Sequence, residues 1–286
     1  MGDDGLAWHG RSGSIAINSK GNSKGRHRFV LPGAFSSSGE EVELSAEESH
    51  HLTYVLRLRE GAQVQVFDGA GQEWRGEVAQ ASPRRARLRL LAPLTHPVDS
   101  PLALTLALAL LKGEKFDWVL QKATELGVSR IVPLITEHCE WRRGEGGTTA
   151  RAARWERITL EAAKQCGRRT FVDLSPPTLL ADFCASRAGE SCATLLLSER
   201  GGLAWQETAA RLGQVPCLSV VIGPEGGWSD AEHRLTKEAG FHHLHLGPRI
   251  LRAETAAISA VALAQLLFGD LAVPPRFSDS PSQDGS

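Results

Sequence analysis

The stretch 218–262 holds two short apolar segments that each end in a Gly-Pro loop and lead towards a helix. Residues 218–222 are rich in β-branched side chains and predict a buried strand, which the loop Gly-Pro-Glu-Gly-Gly at 223–227 ends. A second strand is predicted over 241–246, and Gly247-Pro248 ends it. In an open α/β sheet, ligands bind outside the carboxyl ends of strands, where glycines let the backbone approach closely. The repeated arrangement therefore predicts one ligand site built from both loops.

Helix signals surround these loops. Ser229 and Glu232 have the spacing of a capping box, which predicts a helix that runs to about 239 and ends at Gly240. A long apolar helix is predicted over 256–268. Earlier in the chain, the near-continuous apolar run 102–110 predicts a strand buried on both faces. The segment 112–115 then opens a predicted helix that Gly127 ends, and a strand is predicted over 131–135. This β-α-β order implies a parallel sheet.

The two Gly-Pro loops, together with the segments 222–227 and 246–256, resemble those of SPOUT-class RNA methyltransferases. More narrowly, they are similar to the ribosomal RNA small-subunit methyltransferase E family. This resemblance implies an α/β-knot fold, in which the C-terminal part of the parallel sheet is threaded into a deep trefoil knot. It also implies a homodimer and a small PUA-like RNA-binding β-barrel in front of the knotted domain.

The resemblance implies that three loops hold S-adenosylmethionine. Adenine carries hydrogen-bonding edges that backbone groups can satisfy, and leucine or isoleucine side chains can flank its faces. Carried over to this sequence, the cofactor residues are Leu197, Ser198, Glu199, Gly223, Pro224, Glu225, Gly226, Leu246, Gly247, Ile250 and Leu251.

The implied reaction is methylation of N3 of a uridine, U1498, in the 16S ribosomal RNA of the small subunit. A neutral uracil N3 keeps a proton and is a poor nucleophile, so fixed positive charge would help. Arg252 is the candidate for that role; the alternative is a structural pair with Glu254. Glu225 and Glu254 are candidate proton acceptors, and the alternative for each is to cap or brace a loop.

Other functions stay open at this point. A SPOUT 2′-O-ribose methyltransferase would share the fold, and so would a non-catalytic RNA-binding assembly protein. A phosphate-binding hydrolase would need the Lys-Ser/Thr of a P-loop, which the loop 223–227 lacks.

The N-terminal part predicts several short strands around one capped helix that opens at Ser45, as in a small barrel. The predicted organisation is a disordered leader over 1–25, the PUA-like barrel over 26–95, a linker over 96–101, the methyltransferase domain over 102–270 and a disordered tail over 271–286. Arginines that could contact RNA phosphates are Arg26, Arg28, Arg57, Arg168 and Arg169. Two further clusters of basic residues lie at 84–89 and 142–169. For each, two interpretations stay open: a surface that contacts RNA phosphates, or a solvated face.

The chain has 286 residues, 42% of them apolar, and a net charge of −1, which is typical of a soluble globular protein. Its five cysteines are odd in number and contain no C-x-x-C pair, so we expect neither a disulfide framework nor a zinc site. A reducing cytosol and a cytoplasmic location fit this usage. The histidines match no metal signature, and no apolar run is long enough to span a membrane.

Overall fold

The computed structural model describes residues 27–31, 33, 35, 37–95, 99–139 and 148–274. Several predictions therefore fall outside the described residues. These are the leader 1–25, Arg26, positions 96–98 of the linker, Arg142, Arg143 and the tail from 275.

Short strands in the first third of the chain form one five-stranded sheet within the described residues, in the order β1-β3-β4-β5-β2. In chain order they are β1 (Arg28–Val30), β2 (Glu41–Glu43), β3 (Gln63–Phe67), β4 (Glu73–Gln80) and β5 (Arg87–Pro93). β1 is parallel to β3, and the other pairs are antiparallel. Leu88 and Leu90 of β5 are buried, while Arg87 and Arg89, which alternate with them, are exposed, as the two-residue period of a strand requires.

One short helix packs beside this sheet, and the chain leaves it through an irregular turn. α1 (Ala46–His50) begins where the Ser45 side chain accepts a hydrogen bond from the Glu48 amide, as predicted. From His51 to Val55 the chain continues as a π-helical turn. Arg57 then adopts a left-handed backbone conformation with φ of 54°, which is uncommon for a residue with a side chain.

The second sheet is entirely parallel and confirms the predicted α/β class. Its strands are β6 (Ala103–Ala109), β7 (Arg130–Ile135), β8 (Asp173–Leu174), β9 (Thr178–Leu179), β10 (Ala193–Leu197), β11 (Cys217–Ile222) and β12 (His242–Leu244). Among the described residues the order is β12-β10-β11-β6-β7-β8, with β9 also paired to β7. Leu104, Leu106 and Leu108 of β6 are fully buried, which explains the continuous apolar run. The trefoil knot stays a prediction.

Helices pack against this sheet and connect its strands. They are α2 (Lys115–Glu125), α3 (Thr148–Cys166), α4 (Leu180–Arg187), α5 (Trp205–Leu212), α6 (Asp230–Glu238) and α7 (Ala253–Phe268). Both hydrogen bonds of the predicted capping box are present at the start of α6. α7 begins at Ala253 rather than at 256, because alanine and glutamate favour a helix as much as the apolar run that follows. No helix in the described part of the chain has both the length and the apolarity that a membrane crossing needs.

Cys192 and Cys217 form a disulfide, so the expectation of no disulfide is wrong for this pair. β10 and β11 are parallel neighbours with Ala193 opposite Leu218, so the two residues immediately before them also face each other. Their Cα atoms lie 5.1 Å apart, within the range that a disulfide spans. Cysteine spacing along the chain could not reveal this register.

Candidate functional site: a cavity at the carboxyl ends of three strands

A cavity of about 490 Å³ opens at the carboxyl ends of β10, β11 and β12. Three loops line it, one from each strand. The predicted cofactor residues among its lining are Leu197, Ser198, Glu199, Gly223, Pro224, Glu225, Leu246, Gly247, Ile250 and Leu251. Its volume is within the range of small-molecule sites. Ile250 is 83% exposed and lies at the mouth of the cavity.

Gly226 is the predicted cofactor residue that does not line the cavity. It faces the opposite side of its loop, where an added Cβ would lie 2.9 Å from the Cβ of His138. The His138 ring also donates from Nδ1 to the Gly227 carbonyl oxygen, over 3.0 Å. Gly226 therefore lets the loop after β7 pack against the second loop of the site.

Trp228 joins the first and second loops and was not among the predicted site residues. Its indole Nε1 donates to the Leu197 carbonyl oxygen over 2.8 Å, and the residue is 5% exposed. A Cβ at Gly223 would lie 2.9 Å from the indole ring, so glycine is needed there for close packing. The position of Trp228 directly before the helix cap Ser229 does not indicate this contact with a residue 31 positions earlier in the chain.

Lys115, at the start of α2, adds a positive charge to the cavity wall. Its Nζ lies 2.9 Å from Glu225 Oε1 and 3.9 Å from Glu254 Oε2. Partial burial acts to raise the pKa of Glu225, but hydrogen bonds from Lys115 and from backbone amides outweigh it and lower that pKa. Lys115 was not among the predicted site residues either. Its segment follows β6, which lies beside β11 in the parallel sheet. The carboxyl ends of these two strands therefore lie at the same edge of the sheet, which brings Lys115 to the cavity.

Arg252 is the N-cap residue of α7 and lines the same cavity. It is exposed, and no described residue forms a hydrogen bond or ion pair with its guanidinium. Glu254 is not part of the lining; its Oε2 is buried without a hydrogen-bond partner, behind Lys115. The structure thus shows no Arg252–Glu254 pair.

Arg28, Arg168 and Arg169 are buried, which corrects their prediction as RNA contacts. Glu73 accepts hydrogen bonds from Arg28 Nε over 2.8 Å and from Arg169 Nε over 2.9 Å. Arg168 donates to the backbone carbonyl oxygens of Thr124 and Val128 and to the Asp99 carboxylate. The Arg28 and Arg169 side chains link the two sheets, because buried guanidinium groups need partners and find them here in Glu73 of β4 and in the backbone at the end of α3.

Among the other candidate RNA contacts, Arg57 is exposed. In the hairpin cluster, Arg85 pairs with Glu43 and Arg89 with Glu41 on the neighbouring strand, which favours a solvated, ion-paired face. Among the described residues, no group of three or more histidine, cysteine, aspartate or glutamate side chains is arranged to hold a metal ion.

Family models agree with this architecture. A model described as an RNA methyltransferase domain matches residues 98–265, and one described as an RNA methyltransferase PUA domain matches residues 44–91. The ribosomal RNA small subunit methyltransferase E of Bacillus subtilis is 32% identical over 251 residues, covering 82% of this chain and 93% of that protein. The chain belongs to the ribosomal RNA small subunit methyltransferase E family.

Two further members of this family show how far the similarity extends. The methyltransferase E of Synechocystis is 35% identical, over 79% of this chain and 72% of that protein. The crystal structure of the Neisseria gonorrhoeae methyltransferase E, bound to S-adenosyl methionine, matches with a TM-score of 0.77 and 34% identity. It covers 86% of this chain and 99% of the Neisseria chain, so the similarity includes both sheets.

Proposed function

We propose that this chain transfers a methyl group from S-adenosylmethionine to N3 of a uridine, U1498 by resemblance, in 16S ribosomal RNA. The observation that carries the proposal is the three-loop cavity, which Arg252 and Lys115 line with positive charge. Family membership supports the cofactor and the ribosomal substrate. The substrate implies a cytoplasmic location.

The residues present fit the cofactor. Leu197, Leu246 and Leu251 provide apolar surface in the cavity, and the loop backbones between them offer N–H and C=O groups for the edges of adenine. Gly247 has φ of 76° and open space around the position of a Cβ, so its backbone can approach a ligand closely. When bound, S-adenosylmethionine supplies an activated methyl group.

The chain's own task is to make the uracil reactive. Holding N3 in line with the methyl group supplies part of the rate enhancement. The other part comes from positive charge that stabilises the uracil anion, and Arg252, exposed and without a described partner, is free to point at it. Glu225 is a weak acceptor of the N3 proton, because its pKa is lowered.

The barrel offers a surface for RNA beside α1. Tyr54 is 60% exposed, and its ring lies 4.7 Å from that of His50. Exposed aromatic rings stack on unpaired bases, and a nearby arginine such as Arg57 neutralises phosphates. The exposed Arg151 and Arg157 of α3 add further basic surface.

We also propose a homodimer. The C-terminal end of α7 leaves Leu266 51% exposed, and Leu271 and Val273 just beyond it are 48% and 55% exposed. A second copy of the chain is the partner that the family resemblance suggests for this apolar surface.

The test of the proposed function uses labelled S-adenosylmethionine and small ribosomal subunits that lack the modification. Label should appear as 3-methyluridine in nucleoside mass spectrometry, and Arg252→Ala should lower the rate by about 100-fold, as for loss of one charge-stabilising donor. Arg211→Ala is the matched control, because Arg211 is exposed on α5 and pairs only with Glu207 among the described residues. It should act like wild type.

Other products would redirect the assignment. Label on ribose would identify a 2′-O-methyltransferase with the same cavity. Tight cofactor binding without any labelled RNA would contradict this substrate, and a chain that binds ribosomal RNA but not the cofactor would be an assembly protein.

A further inference from the structure

The cavity offers weak acceptors for the proton of uracil N3. Glu199 and Glu225 are carboxylates, which as a class are far weaker bases than a uracil anion, and the pKa of Glu225 is lowered further. The Nδ1 atom of His245 accepts a hydrogen bond from the Gly247 amide over 3.2 Å. The proton of a neutral His245 is therefore on Nε2, which makes that nitrogen a donor. Catalysis must then depend on stabilising the anion.

Lys115 has the geometry for this task. An ammonium group has three N–H donors. Among the described residues, the Lys115 ammonium forms one hydrogen bond, to Glu225 Oε1 over 2.9 Å. Glu254 Oε2, at 3.9 Å, is too distant to accept one. The two carboxylates fix the ammonium on the cavity wall, and two N–H groups stay available to a ligand.

We propose that Lys115 is a catalytic residue that donates a hydrogen bond to a carbonyl oxygen of the target uracil. The inference rests on the proposed function and deepens it. When N3 loses its proton to water, the negative charge spreads to the two carbonyl oxygens beside it. The N3 electron pair then forms the bond to the methyl carbon, while the electrons of the methyl–sulfur bond stay on sulfur. Lys115 and Arg252 give the uracil two cationic partners.

The first test compares the pH dependence of 3-methyluridine formation by wild type and Lys115→Met. Loss of the cation should lower kcat by about 100-fold. It should also move the rising limb of the profile to higher pH by about one unit or more, because N3 then loses its proton less readily. Lys115→Arg should restore part of the rate. Lys122→Met is the control on the same helix, since Lys122 pairs with Glu125 outside the cavity, and it should match wild type.

The second test separates catalysis from a bracing role. Small subunits are reconstituted with 16S RNA that carries 5-fluorouridine, whose N3 is more acidic because fluorine withdraws electrons. The deficit of Lys115→Met should shrink about tenfold on this RNA, since less anion stabilisation is needed. Glu225→Gln loses the same ion pair but keeps the ammonium, so it should show no such rescue.

Binding measurements complete the design. The melting temperature of Lys115→Met and its dissociation constant for S-adenosylmethionine should stay near those of wild type. An equal deficit on uridine and 5-fluorouridine, with an unshifted pH profile, overturns the catalytic role of Lys115 alone. Absence of 3-methyluridine from the wild-type reaction overturns the proposed function and this role together.

Discussion

Gly202 holds the first loop of the cavity against β12. Its φ is 154°, and an added Cβ would lie 2.6 Å from the carbonyl carbon of His243 and 2.8 Å from the Leu244 amide nitrogen. Because both atoms belong to the backbone of a strand, they cannot move aside. We expect Gly202→Ala to destabilise the fold by about 1–3 kcal/mol and to weaken cofactor binding.

Gly201→Ala is the matched control for that substitution. Gly201 also has a positive φ, 102°, but nothing lies within 4 Å of its Cβ position. Chemical denaturation and calorimetric titration with S-adenosylmethionine would measure both variants. Equal losses for the two would show that backbone conformation, and not the contact with β12, requires glycine at 202.

At the same scale, the residues found from sequence differ in kind from those that were missed. The Gly-Pro loops are visible in the local sequence, because the same Gly-Pro pair directly follows two predicted strands. Lys115 is held at the cavity by a contact with Glu225, 110 residues further along the chain. Trp228 is held there by a contact with Leu197, 31 residues earlier. A lysine in a helix start or a tryptophan before a cap carries no local mark of such a contact.

Among the elements, β10 and β11 carry two of the three cavity loops at their carboxyl ends and a disulfide at their amino ends. Cys192 and Cys217 are 25 residues apart, so the crosslink limits the unfolded chain considerably. Its removal should cost about 3 kcal/mol of stability. Thermal unfolding of the Cys192→Ser/Cys217→Ser double variant, and of wild type with a reductant, should show a lower Tm than oxidised wild type.

The free cysteines supply the control for this comparison. Cys166 is not in a disulfide, and partial burial of its thiol group raises the pKa of that group. Cys166→Ser should leave Tm unchanged in both conditions. If reductant left the Tm of wild type unchanged, the result would contradict the crosslink.

The register between the parallel strands β10 and β11 determines which cysteines pair. The hydrophobic pattern of the sequence predicts that these strands exist, but it does not predict their order in the sheet.

In the whole molecule, the barrel and the parallel sheet meet through a buried charged junction. Arg28 Nη1 and Nη2 donate to the carbonyl oxygens of Ala163 and Arg168, each over 2.8 Å, at the C-terminal end of α3 and just beyond it. Cations are stabilised at such helix ends. The Arg28 guanidinium also lies 4.2 Å above the ring of Phe67. The sequence predicted Arg28 to contact RNA. Local charge does not reveal that Glu73, 45 residues further along the chain, neutralises the Arg28 guanidinium.

We expect Arg28→Ala to uncouple the two parts of the chain. Removing the guanidinium leaves Glu73 Oε1 and the carbonyl oxygens of Ala163 and Arg168 without their buried donor, at a cost of about 3–5 kcal/mol. Calorimetry should then show two separate transitions, and proteases should cleave the connection between β5 and β6. Cofactor affinity should persist, because the cavity lies wholly in the second sheet, whereas binding to ribosomal RNA should weaken.

Arg85→Ala is the control for charge alone. Its pair with Glu43 is exposed on the barrel, so its loss should leave the unfolding profile unchanged. If Arg28→Ala kept a single unfolding transition and full affinity for RNA, the junction would be needed neither to couple the two parts nor to bind RNA. If it lost RNA binding while the two parts stayed coupled, Arg28 would contact RNA after all. Separate unfolding transitions together with weakened RNA binding would show that RNA binding requires the barrel to be fixed in position relative to the parallel sheet.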